Sequence, residues 1–469
     1  MRRLPGWHPI VLSVLALVPW LAGAPAARAD GTRLYEQLCA NCHGTDLVGG
    51  KGGSLLGPLK HGDDETSLAR AVTDGFPGLG MPGMGRQLSD ADVHALVVFM
   101  REKRANPTPL PPPKPIDSAE VRRTQRHAFR IEYVVKDGLQ IPWAFAWLPD
   151  GRMLVTERAG RLRLVERGAL QPEPVRGIPA VVEKGEGGMM DVAAHDGWIY
   201  LSFADPGEGD RAMTKIVRGR LRGNEFVNQE TIFALPREQY PPGYELFGSR
   251  LAFGGGHLFF TIGERKVHDV AQQPESPLGK VHRVRPDGTI PPDNPFAQRP
   301  GACGSVWSYG HRNPQGLAVH PATGEIWESE HGPRGGDEVN FIKRGANYGW
   351  PLVTHGVNYD GSVIADKDAA EGLEPPARHW TPSIAVSPVE FYSGGRFPGW
   401  KDSLFVGSLA RQKFLRFEVR DGRVVHEEEI FSNLGRVRAI GTGPDGLLYV
   451  ALEQLNGASG WIVRLVPAE

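Results

Sequence analysis

The chain has 469 residues, too many for one compact core of ordinary size, so two or more folded units are expected. Lys and Arg number 53 against 54 Asp and Glu, a balance that gives no electrostatic ground for nucleic acid or an acidic membrane surface as partner. With only three cysteines, two of them inside one short motif, a disulfide framework is excluded.

Arg2 and Arg3 precede the apolar run PIVLSVLALVPWLAG, and Ala27-Arg28-Ala29 supplies a small-x-small site before Asp30. That is the pattern of a secretory signal peptide cleaved near Ala29. The run is shorter than the roughly 20 residues a spanning helix needs, and Pro19 interrupts it. The expectation is a periplasmic chain that keeps no stable membrane span once residues 1–29 are removed.

LCANCHGT follows at residues 38–45. In C-x-x-C-H the cysteines, Cys39 and Cys42, bond the haem vinyl groups and His43 ligates the iron, so covalent haem c is expected. A thioredoxin-like pair or half a zinc site are the rival readings, and the sequence lacks the context either needs. Leu34 and Leu38 recur at helical spacing before the motif, and Ser89 with Asp92 forms a capping box ahead of Val93, Leu96, Val97 and Met100. Between these helices lies a glycine-rich, irregular middle. The sixth iron ligand is expected from GFPGLGMPGMGRQLS, where Met81 and Met84 are candidates and a thioether would raise the reduction potential. This segment resembles bacterial cytochromes c, in which the axial methionine stands directly before a proline; the resemblance favours Met81, followed by Pro82, with Met84 and His61 as alternatives. Residues 30–104 are therefore expected to form a small all-α cytochrome c domain.

ANPTPLPPPKPI, 105–116, is dense enough in proline to favour an extended spacer, and residues 105–128 are expected to link two units. Beyond it, short alternating strands with Gly and Asp turns repeat: PDGRMLVTE from 149, HDGWIYLSF from 195, GGGHLFFTI from 254, HPATGEIWESE from 320, GWKDSLFVGS from 399 and GPDGLLYVALE from 443. Six turn-plus-strand phrases predict an all-β six-bladed propeller over 129–469, the second part of a multidomain chain.

Four further phrases, YGHRNPQGLAVHP, SEHGPRGGDEVNFI, GANYGWP and GRVRAIG, load glycine-rich loops with Arg, Asn, His and acid groups, as a ligand site does. They resemble the soluble dehydrogenases of aldose sugars that depend on pyrroloquinoline quinone (PQQ), six-bladed propellers that oxidise sugars at the anomeric carbon. The resemblance runs from about residue 131 to the end. It implies PQQ and Ca2+ as cofactors, with Arg312 and Asn313 at the quinone face, Arg436 and Arg438 around the cofactor, His331 in the same pocket, and the carbonyls of Gly332 and Pro333 as calcium ligands with Asp337 nearby. The implied partners are a small sugar or alcohol substrate and a downstream periplasmic electron acceptor, with the fused haem as the first acceptor.

The chain departs from that family where its proton-accepting histidine stands, since ELFGSR places Leu246 there. Glu186 replaces a common glutamine, and Ala410, followed by Arg411, replaces a lysine that meets the cofactor. Glu245 or Glu186 could take the proton if burial raises its pKa. A changed alcohol or aldehyde substrate is the second outcome. A non-catalytic electron-transfer protein, with the propeller binding a ligand or partner, is the third.

Overall fold

The computed structural model describes residues 30–45, 47–105, 113–454 and 459–468; the predicted signal peptide and the centre of the proline-rich stretch lie outside them. Among the described residues no helix is long and apolar enough to cross a membrane.

The N-terminal unit holds four helices, α1 (Gly31–Leu38), α2 (Ala40–His43), α3 (Glu65–Asp74) and α4 (Asp90–Ala105). Asp30 caps α1 through its carboxylate. The predicted box at α4 is reciprocal: Ser89 Oγ accepts from the Asp92 N–H at 3.2 Å while Asp92 accepts from the Ser89 N–H at 2.9 Å, an arrangement worth about 1 kcal/mol. Tyr35, Leu68, Val72, Leu96 and Val97 bury one core between α1, α3 and α4. Gly31 is obligatory there, because a Cβ would lie 2.2 Å from the Ala95 carbonyl oxygen. Helix α3 is the element missing from the sequence reading, which left this glycine-rich stretch irregular.

The remainder is a ring of six antiparallel sheets. In chain order the innermost strands are Pro142–Trp147, Met189–His195, Gly248–Gly254, Pro314–Val319, Val386–Phe391 and Arg436–Thr442, opening blades 1 to 6. Each predicted phrase forms the turn into its blade's second strand, for instance Ile326–Glu330 in blade 4 and Leu448–Glu453 in blade 6. Blade 6 is closed by the first and last long strands of the propeller, since Ala128–Leu139 pairs antiparallel with Gly460–Ala468, starting from Ala128↔Ala468. This seam removes the open edge that a linear array of sheets would leave.

Residues 113–128 do not hang free. Ile116 is buried and its N–H donates to the Tyr133 hydroxyl, and Arg122–Arg123 adds a short strand to blade 6. The helical unit also packs on the propeller. Ala95 and Val98 of α4 share a small apolar cluster with Val357 and Val363, and Arg334 pairs with Glu102.

Candidate functional site

In an antiparallel hairpin the start of the first strand and the end of the second lie at the same end, so loops at those two places converge on one face of a propeller. Arg312 and Asn313 directly precede the inner strand of blade 4, and His331, Gly332 and Pro333 follow its second strand. Glu245 and Leu246 precede the inner strand of blade 3, Glu264 follows its second strand, and Glu186 precedes blade 2. Arg436 opens the inner strand of blade 6, and Arg438 lies on it.

His331 marks the centre of this face. Its imidazole is pushed down to about 3, by burial first and then by Arg312, Arg438 and Arg436. A neutral histidine with cations from two blades around it describes a cationic cradle. Arg436 and Arg438 share Glu453, at 3.8 Å from the former, and the Arg438 guanidinium also lies 4.6 Å over the Trp143 ring. One carboxylate between two guanidiniums leaves net positive charge, and burial pushes Arg438 down to about 10.

Arg312 is fixed from behind. Its backbone N–H donates to Glu330 Oε2 at 2.5 Å, and Glu330 Oε1 meets His311 Nδ1 at 3.1 Å. Its Nη1 donates to the carbonyls of His331 at 2.9 Å and Gly332 at 2.6 Å. The Gly332 carbonyl, an expected calcium ligand, is thus engaged by a guanidinium. Asp337 is wholly a loop-shaping group: Oδ1 accepts from the Gly332 N–H, and Oδ2 accepts from Ile384 and Val386. Burial still raises its carboxyl to about 6.

The polar atoms without partners are the informative ones. Arg312 Nε, Asn313 Nδ2, His331 Nε2 and Arg436 Nε are all buried with no hydrogen-bond partner. Asn313 Oδ1 accepts from Gly248 N–H and Gln315 Nε2, both at 3.1 Å, which turns its amide nitrogen away from those bonds. Each unmade buried bond costs about 1–3 kcal/mol, so this group of donors suits an acceptor-rich anion.

The two carboxylates singled out as proton acceptors are not desolvated. Glu186 is exposed and accepts from the Leu246 N–H at 2.8 Å; Glu245 keeps 41% of its side chain exposed and pairs with Lys266 at 3.5 Å. Leu246 is buried, in the left-handed region at φ 56. The residue the sequence did not reveal is Glu264. It is fully buried, neither carboxylate oxygen has a hydrogen-bond partner although His268 Nδ1 lies 3.9 Å from Oε1, and burial raises its carboxyl to about 7 against the opposing pull of Arg312 and Arg265. In TIGERK it reads as one charge among several. Arg411 lines a separate cleft of about 460 Å³ with Arg101 of α4.

At the other end of the chain, His43 Nδ1 lies 2.9 Å from the Gly53 carbonyl, which fixes the ring and leaves Nε2 as the donor for a metal. Gly52 permits this, since a Cβ there would stand 2.8 Å from the imidazole. Cys39 is half-buried and packs, like Met84, against the core of the helical unit, whereas Cys42 is exposed. Met81 exchanges backbone hydrogen bonds with Phe76.

The family model described as Glucose / Sorbosone dehydrogenase matches residues 139–464, and that described as Cytochrome C oxidase, cbb3-type, subunit III matches residues 26–100. Aldose sugar dehydrogenase YliI of Escherichia coli is 40% identical over 336 residues, 69% of this chain and 90% of that protein. Cytochrome c55X of Paracoccus denitrificans is 35% identical over 92 residues, 19% of this chain and 89% of that protein. The PQQ-bound aldose sugar dehydrogenase of Streptomyces coelicolor superposes with a TM-score of 0.58 at 26% identity, covering 72% of this chain and 98% of its own.

Proposed function

The chain belongs to the glucose/sorbosone dehydrogenase family and carries a cytochrome c domain ahead of its propeller, and from that premise we propose an exported quinohaemoprotein. It oxidises an aldose sugar, or a related alcohol or aldehyde, with PQQ at the mouth of the propeller and haem c on residues 30–104. The observation that carries this reading is the set of buried, unpartnered donors on Arg312, Asn313 and Arg436 around His331. A tricarboxylate with two quinone oxygens is what such donors lack.

PQQ, when bound, supplies an ortho-quinone that accepts the hydride of a substrate C–H bond. Arg436 and Arg438 of blade 6 would neutralise its carboxylates, while Arg312 and Asn313 would present N–H donors from blade 4. His331, neutral because it is buried among arginines, lines the site without adding charge. Glu264 takes the hydroxyl proton, since a carboxyl near 7 is both ionised and basic at neutral pH. Glu245 and Glu186 are the alternatives, weakened by their contact with water.

The carbonyls of Gly332 and Pro333 have the hard-oxygen chemistry that calcium takes. Occupying the Gly332 carbonyl requires Arg312 to release it, and Asp337 keeps the loop in shape. Calcium supplies charge to hold an anion in the mouth. Cys39 and Cys42 would hold haem c, which supplies a one-electron acceptor, and His43 with Met81, or alternatively Met84, would ligate its iron. Helix α4 supports transfer between the two centres, because Glu102 pairs with Arg334, two residues from Gly332.

Calorimetric titration of the haem-loaded full chain with PQQ in calcium should show one equivalent bound, and no uptake would end this reading. A second reading, a propeller that binds a ligand while an outside donor reduces the haem, draws on Leu246, which cannot take a proton. Uptake of PQQ with haem that stays oxidised on every aldose and simple alcohol would favour it.

A further inference from the structure

The seam between the helical unit and blade 4 holds a cluster that the proposed chemistry does not use. Glu65 opens α3, His355 lies in a loop of blade 4, and His379 lies on that blade's outer strand, Arg378–Trp380. One donor atom from each lies within 4.8 Å of those of the other two. The two imidazoles stack with centroids 3.7 Å apart and planes 13° off parallel. His94 of α4 stands beside them, its Nδ1 3.9 Å from Glu65 Oε1.

Four atoms at this seam are buried without a hydrogen-bond partner: Glu65 Oε1, His94 Nε2, His355 Nδ1 and His379 Nδ1. Water or protein partners satisfy nearly all buried polar groups in folded chains, so the orphaned atoms of Glu65, His355 and His379, gathered from two domains, call for one shared partner. Arg101 already holds the other oxygen of Glu65 at 2.8 Å, and Asp368 lies 3.7 Å from His355 Nδ1. The two nearby guanidiniums are held by carboxylates, Arg101 by Glu65 and Arg378 by Glu427 at 2.9 Å.

We propose that Glu65, His355 and His379 form an interdomain site for a divalent transition-metal ion of the zinc type, with His94 as a fourth ligand. Two or three imidazoles and one carboxylate are a donor set that zinc takes and that calcium and magnesium do not favour. Tetrahedral zinc places its ligand atoms roughly 3.4 Å apart, as follows from bonds of about 2.0–2.1 Å. Binding therefore draws the cluster together by side-chain rotation, which unstacks the two rings. Such an ion joins α3 and α4 to the blade that also carries Arg312 and His331, and would hold the helical unit at one distance from the mouth. The site stands or falls independently of what the mouth oxidises.

The test is calorimetric titration of Zn2+ into the chelator-treated, haem-loaded full chain, with Mg2+ as control and X-ray absorption at the zinc edge. One equivalent should bind with micromolar or tighter affinity through nitrogen and oxygen ligands, and Mg2+ should give no heat. His355→Ala/His379→Ala should weaken zinc by about 100-fold or more and Glu65→Gln by about 10-fold, with the haem spectrum unchanged. Should the double variant fail to fold, His379→Gln alone should still weaken zinc about 10-fold. Absence of zinc binding to the parent chain, or affinity undiminished in the variants that fold, would overturn the proposal.

Discussion

The haem segment and the propeller mouth both gather groups for redox chemistry, but they are encoded on different scales. Cys39, Cys42 and His43 lie within five residues, on one short helix and its N-cap, so their placement is set locally. The mouth draws on Arg312, His331, Glu264 and Arg438, which meet only because three blades bring loop ends to one face. A covalent motif needs local order, whereas a binding cradle needs the closed ring. Loss of one cysteine should therefore act locally and completely, while loss of one arginine should act gradually and be shared among its neighbours.

The sharpest separation of the two regions comes from Cys39→Ala/Cys42→Ala. It should abolish covalent haem, read by haem staining of the denatured chain, while changing PQQ affinity by less than about twofold, since the two sites share no residue. Next in size, Glu264→Gln should lower kcat by about 10²–10⁴-fold, the range for removing a general base. In the parent chain kcat/KM should rise with pH through about 7 as that carboxyl ionises, and the variant should lose this limb. The same carboxyl titrates above its ordinary 4.5, so its contribution to stability is full below pH 4.5 and lost as pH rises through about 7. Glu264→Gln should accordingly raise the melting temperature at pH 8 more than at pH 5.

Arg436→Ala should weaken PQQ by about 10–100-fold, the worth of one charge-assisted hydrogen bond, with the haem spectrum untouched. An equal loss of haem would break the comparison, because it would couple regions described here as separate. Leu246→His should raise the rate modestly. Its backbone already sits at φ 56, a conformation that histidine adopts more readily than leucine, so the exchange adds no strain.

How much of this could be read in advance follows the same division of scale. The C-x-x-C-H motif, the Ser89–Asp92 box and the six turn phrases are local patterns, and the structure carries each at the place expected. Arg436 and Arg438 were legible as a pair because alternate residues of a strand share a face, and both reach Glu453. Helix α3 was hidden by the glycines on either side of it, which supply turns rather than break the helix. Glu264 and the Glu65–His355–His379 cluster were not legible at all. Their character comes from burial and from neighbours about 50 to 300 residues away, and no window of sequence contains that information.

The central claim is that electrons pass from a substrate oxidised at the mouth to the haem of the same chain. Its most direct test is anaerobic absorbance of the haem α-band in dilute full-length protein supplied with calcium, PQQ and an aldose. Haem reduction that requires both PQQ and sugar, proceeds at a rate independent of protein concentration and is lost in Arg312→Ala is the predicted result. Reduction that needs no PQQ, or that survives unchanged in Arg312→Ala, would contradict it.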